Sequence, residues 1–355
     1  MVQIEQVYKM IKDGDMESLR LLLINKFNPN QPVSSYESLL ECSLDYEQYD
    51  IAKLLIEFGA ALPTDVMVDA ARGDRNMFEY LLSKGADLNA INHVGHSALS
   101  RALAFENMQG AYTLIDLGID LSAIGGGALI HCAYEGKIEF LKNLINLGVD
   151  INFYSEDNIF TSGATPLIAA VIGKQFETVK YLINKGADTS LVCREGCRAY
   201  NYARIQDTSE IASYIKLFEP HEYHDINKRT EELIDGGVPL EVIEVLKINN
   251  KRLEYESENY SNYLVLGDLS DVVYFEYHDF KLYNLLLEVD NFEAFGMITW
   301  CPHINLFVSV DIEHEWIYLL HDMTWESFLN NPGLYIDRII DGYYDCEEIE
   351  EEAMI

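Results

Sequence analysis

One short segment, repeated, constrains this chain more than anything else in it. Leu81-Leu82-Ser83-Lys84-Gly85-Ala86-Asp87-Leu88-Asn89 recurs as Leu54-Leu55-Ile56-Glu57-Phe58-Gly59-Ala60-Ala61 and again as Tyr181-Leu182-Ile183-Asn184-Lys185-Gly186-Ala187-Asp188. Fainter copies end at Gly118 and Gly148, and Lys26 takes the glycine position in the first copy. Positions 26, 59, 85, 118, 148 and 186 are separated by 33, 26, 33, 30 and 38 residues. Each copy is an apolar helix, then a residue suited to a left-handed helix end, then a short acidic or Asn turn. Phe176, Val179 and Ile183 share one helical face, as do Ile138, Leu141 and Ile145. A shorter helix precedes each. The clearest is Gly163-Ala164-Thr165-Pro166-Leu167-Ile168-Ala169-Ala170, where Thr165 can cap and Pro166 suits the first turn. Gly95 to Ala102 and Gly196 to Ala203 are degenerate versions. Helix pairs of this size cannot bury their faces alone, so they stack.

This pattern resembles the ankyrin-repeat family over residues 1–219, with Ile168 standing where that family's T-P-L-H tetrapeptide has its His. The resemblance implies protein recognition through fingers and a concave face. The 38-residue step inserts Phe153 to Ser162. Insertions in solenoids map to loops, often on the binding face, which makes Tyr154, Asp157, Ile159 and Phe160 candidate partner contacts. The alternative is that the apolar side chains fold back onto the array or onto a second domain.

Charge changes along the chain. The total is -34, from 25 Lys+Arg and 59 Asp+Glu, and it disfavours nucleic acid and anionic membrane as partners while favouring a basic protein. Residues 1–219 carry 18 basic and 29 acidic residues, whereas residues 220–355 carry 7 and 30, a net of -23. With 49% hydrophobic residues, 8 Pro and 22 Gly the chain is globular, with length for roughly two domains. It has no apolar run of transmembrane length and no signal-peptide layout at Met1 to Met10, so the expected compartment is the cytoplasm. The six cysteines form no framework. Cys193 and Cys197, spaced C-x3-C, lack a second ligand pair for zinc and read as reduced thiols.

The expected fold is therefore multidomain: an N-terminal all-α solenoid over 1–219, a linker at 220–230, a C-terminal α+β domain with an antiparallel sheet over 231–345, and an acidic tail over 346–355. His221 and His224 read as solvated linker residues rather than metal ligands. Glu231 to Asn250 predicts helix with a break at Gly236-Gly237. Tyr263 to Leu266, Val272 to Tyr277, Gly296 to Trp300, Leu306 to Val310 and Trp316 to Leu320 predict strands, the last two a hairpin. Phe280 to Val289 places Leu282, Leu285 and Leu286 at helical spacing, and Thr324 can cap a helix ended by Pro332, before a last helix over Tyr335 to Ile340. The run Phe307 to Tyr318, with Thr324-Trp325-Glu326-Ser327-Phe328-Leu329 after it, resembles the SUKH superfamily of bacterial immunity proteins. That resemblance implies a protein that binds a toxin and blocks it.

Enzyme chemistry is hard to find. GxGxxG, P-loop, HExxH and GxSxG are absent, and the neighbouring Cys301 and His303 make a poor nucleophile pair. No catalytic residue, cofactor or metal is expected. Asp311, Glu313, His314 and Glu315 cluster at the hairpin turn, read either as a solvated acidic turn or as contacts to a basic partner. The tail Glu347 to Glu352 reads as solvated. Three functions stay open: an immunity- or antitoxin-type inhibitor of a basic protein effector, an ankyrin scaffold or regulator with no toxin partner, and an unrecognised hydrolase.

Overall fold

The computed structural model describes residues 4–33, 37–154, 163–206, 208–248, 251–277, 280–311, 314 and 316–344. The chain forms two compact bodies, Met1–Ile159 and Phe160–Ile355.

In the first body the helices come in pairs: Ile4–Asp13 with Met16–Ile24, Leu39–Asp45 with Tyr49–Glu57, Val66–Arg72 with Arg75–Ser83, Ala98–Ala104 with Met108–Asp116, and Leu121–Tyr134 with Ile138–Asn146. The third pair opens on an α turn and finishes as a 3-10 turn. Polar side chains start these helices, because the first backbone N–H groups have no partner inside the helix. Ser38 caps with Glu41 and Ser97 with Ser100. The left-handed ends fall at the repeated positions: Gly59, Gly85, Gly118 and Gly148 have φ between 90° and 94°, and Lys26 has φ 67°. A side chain at such an angle is strained, which is why glycine recurs there.

Asparagines tie one repeat to the next. Asn30 Nδ2 donates to the Gly59 carbonyl at 2.9 Å while its Oδ1 accepts from Ala61 N at 2.7 Å. Asn89 Oδ1 accepts from Asp120 N at 2.7 Å. Val7, Ile11, Leu19, Leu39, Ile51 and Leu55 make one continuous core across the first two pairs. In the helix Leu121–Tyr134 a Cβ at Gly126 would collide with the Phe153 ring, so the start of the inserted segment folds back onto its own repeat. Tyr154, the next residue, is exposed. Asp157, Ile159 and Phe160 lie outside the described residues.

The second body opens with two more pairs, Pro166–Ile172 with Phe176–Asn184 and Ala199–Ile205 with Ser209–Lys216. The segment read as a linker is structured: His221–His224 is a 3-10 turn and the next helix already begins at Ile226. The His224 side chain is buried rather than solvated, its Nε2 2.7 Å from Glu219 Oε2 and its ring edge-on to Tyr200. Helices Ile226–Asp235 and Leu240–Leu246 flank the Gly236-Gly237 break.

Among the described residues eight strands follow: β1 Arg252–Glu254, β2 Tyr263–Leu266, β3 Val273–Tyr277, β4 Phe280–Asn284, β5 Leu286–Val289, β6 Thr299–Cys301, β7 Leu306–Asp311 and β8 Trp316–Leu319. They form two antiparallel sheets, β1-β2-β5 and β3-β4-β6-β7-β8. The helix expected over Phe280 to Val289 is instead β4 and β5, which belong to different sheets. Asn284 makes the switch between them: its Nδ2 donates to the Leu286 carbonyl at 2.8 Å and its Oδ1 accepts from Gly296 N at 3.1 Å. The β7–β8 hairpin pairs Val308 with Leu319 and Asp311 with Trp316, as expected. Thr324 caps Trp325–Asn330, and Pro332 ends that helix by starting the next one, Pro332–Ile340.

One face of the larger sheet gives Tyr283, Trp300 and Phe307 to a core shared with Leu233, Val242, Leu246, Trp325, Phe328 and Ile336. The other face buries Phe275, Phe280, Leu282, Val308, Val310 and Ile317. The chain is thus an N-terminal helical repeat region followed by a C-terminal part built on antiparallel sheets.

Candidate functional site

The acidic hairpin is the first candidate. Asp311 ends β7, and His314 lies in the turn beyond it, its backbone N–H and its Nδ1 held by the Asp311 carboxylate at 3.0 and 2.8 Å. The His314 ring sits 5.7 Å from Trp316, which is half exposed and lies edge-on to Tyr318. Glu313 and Glu315 lie outside the described residues. The turn therefore joins a carboxylate to an open aromatic surface. Among the described residues no group of three or more His, Cys, Asp or Glu could hold a metal ion.

The other chemically suggestive residues are structural. Cys42, Cys132, Cys193, Cys197 and Cys301 are buried free thiols. The Cys197 thiol is pushed well up by its hydrogen bond to Cys193 and by burial, and burial pushes up Cys301. A thiol held protonated is a poor nucleophile. The His303 ring packs on Phe280 at 5.2 Å.

A second region emerges where the last repeat meets the sheets within Phe160–Ile355. The helix-start position that holds Ser38, Ser97 and Thr165 in earlier repeats holds Arg198 in the last. Arginine cannot accept the capping hydrogen bond. Its guanidinium instead reaches Glu219 at 2.8 Å, lies over the Tyr223 ring at 4.3 Å, and donates to the Ser270 carbonyl at 3.4 Å. Asn201 donates to the same carbonyl at 3.2 Å. Arg204 forks onto Asp271, with Nε–Oδ1 at 3.1 Å and an Nη2–Oδ2 contact at 3.0 Å. Burial raises the Asp271 carboxyl while Arg204 opposes that rise. Gly196, at φ 73°, presses its backbone against the Tyr274 carbonyl, where a Cβ would collide.

This junction borders two hollows. One, of about 880 Å³, has Arg194, Arg198, Arg229 and Lys281 beside Tyr223, Tyr274 and Tyr283. The other, of about 1150 Å³, mixes apolar and polar side chains in its lining and includes Asp311 on its wall. The structure brings Asp311 and His314 together in the hairpin. The wider setting carries one sign in the sequence, an arginine in the place of a capping Ser or Thr. Tyr154 belongs to the other body.

Comparison with known proteins bears on the helical part. A family model described as Ankyrin repeats (3 copies) matches residues 129–230. Over 180 residues the chain is 26% identical to the ankyrin repeat domain-containing protein SAT10 of Stachybotrys chartarum, covering 49% of this chain and 9% of that protein. It is 29% identical over 201 residues to the ankyrin repeat protein L675 of Acanthamoeba polyphaga mimivirus, covering 51% and 40%. With the ankyrin repeat protein YahD of Escherichia coli it shares 23% identity over 195 residues, 43% of this chain and 95% of that protein. The chain thus spans less than half the length of SAT10 and of L675. The ankyrin repeat domain of human ASB11 superimposes with a TM-score of 0.48 at 20% identity, covering 60% of this chain and 97% of that one. Among the described residues no helix is long and apolar enough to cross a membrane. The repeats of the helical region are ankyrin repeats, and ankyrin repeats indicate a role in protein–protein interaction.

Proposed function

We propose that this protein binds a basic protein partner through its acidic C-terminal part and blocks it, acting as an inhibitor of the immunity or antitoxin type and not as an enzyme. The charge of residues 220–355 carries this reading. Of their seven cations, Arg229, Lys247, Arg252 and Arg338 are already paired with Glu232, Glu244, Glu254 and Asp322. The net of -23 is therefore borne by carboxylates that local cations do not neutralise. Such an excess repels itself in the folded state and exceeds what solubility requires. It does suit rapid capture of a cationic partner, because surface charge acts mainly on association. The β7–β8 hairpin and its capped helix, resembling immunity proteins in sequence, support the inhibitory form of the reading.

The test is recovery of the partner by co-purification and mass spectrometry, followed by stopped-flow association. The on-rate should drop steeply between about 0.01 M and 0.15 M salt, as the Debye length shrinks from about 30 to about 8 Å. Replacing Asp311, Glu313 and Glu315 with Lys should slow association further. Binding that responds to neither change overturns this reading.

One observation favours a second reading, a scaffold in which the ankyrin face alone recruits partners. The Arg198 and Arg204 contacts to Ser270 and Asp271 support it, since the loop before β3 covers the last repeat as a capping unit would. Under that reading the partner is insensitive to charge reversal at the hairpin.

A further inference from the structure

The larger of the two hollows in Phe160–Ile355 combines apolar and acidic lining residues. Leu287 and Phe292 line it from β5 and the loop after it, Ile339 and Ile340 from the last helix, and Ile205 from the last repeat. Carboxylates border these apolar side chains on several sides: Glu195 from the last finger, Glu288 from β5, Glu293 from the following loop, and Asp311 from the hairpin. Arg194 is the one Lys or Arg among the described lining residues. At about 1150 Å³ the space exceeds the 300–1,000 Å³ usual for small ligands, and it suits a stretch of chain. Gln206 Oε1 at its edge is buried without a hydrogen-bond partner among the described residues. Burying an acceptor unpaired is unfavourable unless something donates to it.

We infer that this groove seats a basic segment of the partner that carries apolar anchors: side chains such as Leu enter the floor while Lys or Arg meets the four carboxylates. The inference rests on the proposed function and gives the basic partner a specific footprint. Other occupants fit poorly. A second copy, at net -34, would bring carboxylates to carboxylates, and so would the chain's own Glu347 to Glu352. A nucleic acid would meet the same repulsion.

The test uses the full chain and three fluorescent helix-forming peptides of 14 residues: Lys with Leu, Lys with Ser, and Glu with Leu. At 0.15 M salt, where scattered surface attraction is screened, the Lys–Leu peptide should bind one per chain and the other two about tenfold more weakly or less. Glu293→Lys combined with Asp311→Lys should weaken the Lys–Leu peptide about tenfold while leaving the circular dichroism spectrum unchanged. A photo-cross-linking residue placed at position 205 should capture that peptide, whereas one at 260, on an exposed tyrosine outside the groove, should not. Equal binding of the Lys–Ser or Glu–Leu peptide, indifference to the charge reversals, several peptides per chain, or equal capture at 260 overturns the groove. If the recovered partner still binds with steep salt dependence, the proposed function survives that loss. If the partner ignores salt, the function itself fails.

Discussion

The ankyrin region and the sheet-bearing part solve the same problem, burying apolar surface, in opposite ways. In Met1–Ile159 each helix pair is closed by its own left-handed turn, at glycine in all but the first, and repeats are braced by the next through contacts about 30 residues apart, as Asn30 and Asn89 show. In the sheets, β2 pairs with β5 across two strands of another sheet, and β4 sits between β3 and β6. The first arrangement adds stability one neighbour at a time. The second is stable only when distant strands are all present. Charge follows the same divide, with the mixed surface on the repeats and the one-signed surface on the sheets.

The sharpest way to break this comparison is to empty a cavity in each region. Phe140→Ala in the repeats and Phe328→Ala beneath the larger sheet both remove fully buried rings, and each should cost about 3–5 kcal/mol in denaturant unfolding. Hydrogen exchange should separate them. Phe140→Ala should expose amides in its own and adjoining repeats, while Phe328→Ala should release both sheets together. Identical, global loss of protection in the two variants would abolish the distinction.

A smaller effect sharpens where the boundary lies. Arg204→Ala strands the buried Asp271 carboxylate, and a loss of about 2 kcal/mol is expected. Because the pair links the last repeat to the sheets, protection should fall in Ala199–Ile205 and in β3 alike. Loss confined to one side would mean that the two fold separately.

A pH-dependent effect lies within the repeats. Asp69 has its pKa raised to about 7, mainly by burial and then by Asp65, Glu41 and Asp45. Its folded form holds a proton that the unfolded chain releases near pH 4, so wild-type stability falls as pH rises from about 4 to about 7. Asp69→Asn should flatten that slope, raising Tm at pH 8 and leaving it unchanged near pH 4, with the sheet-bearing part unaffected.

What could be read from the sequence divides along the same line. The repeats were legible because their signals are local: a glycine, an asparagine turn and a 3.6-residue apolar face lie within one unit. Phe280 to Val289 misled for a physical reason. Leu282, Tyr283, Asn284, Leu285, Leu286 and Leu287 are all buried, so the strand alternation is erased and only a helix-like spacing remains. Strand β1, three residues with charged ends, carries no apolar signature at all. His224 looked like linker because its partners, Glu219 and Tyr200, are revealed only by the turn that folds it inward. At the site, the turn that holds Asp311 and His314 was legible in the sequence, while the groove beside it needs the last two repeats, β4, β5, β7, β8 and the last helix to converge.

The contact between Gly196 and Tyr274 also bears on how this protein can be recombined. The last finger lies so close to β3 that the two surfaces must be inherited together. A chimera joined at Glu219, however natural that seam looks, would set a foreign repeat, with any side chain larger than hydrogen at this position, against the same carbonyl. The last two repeats and the sheets, all within Phe160–Ile355, therefore make one cassette for transplantation.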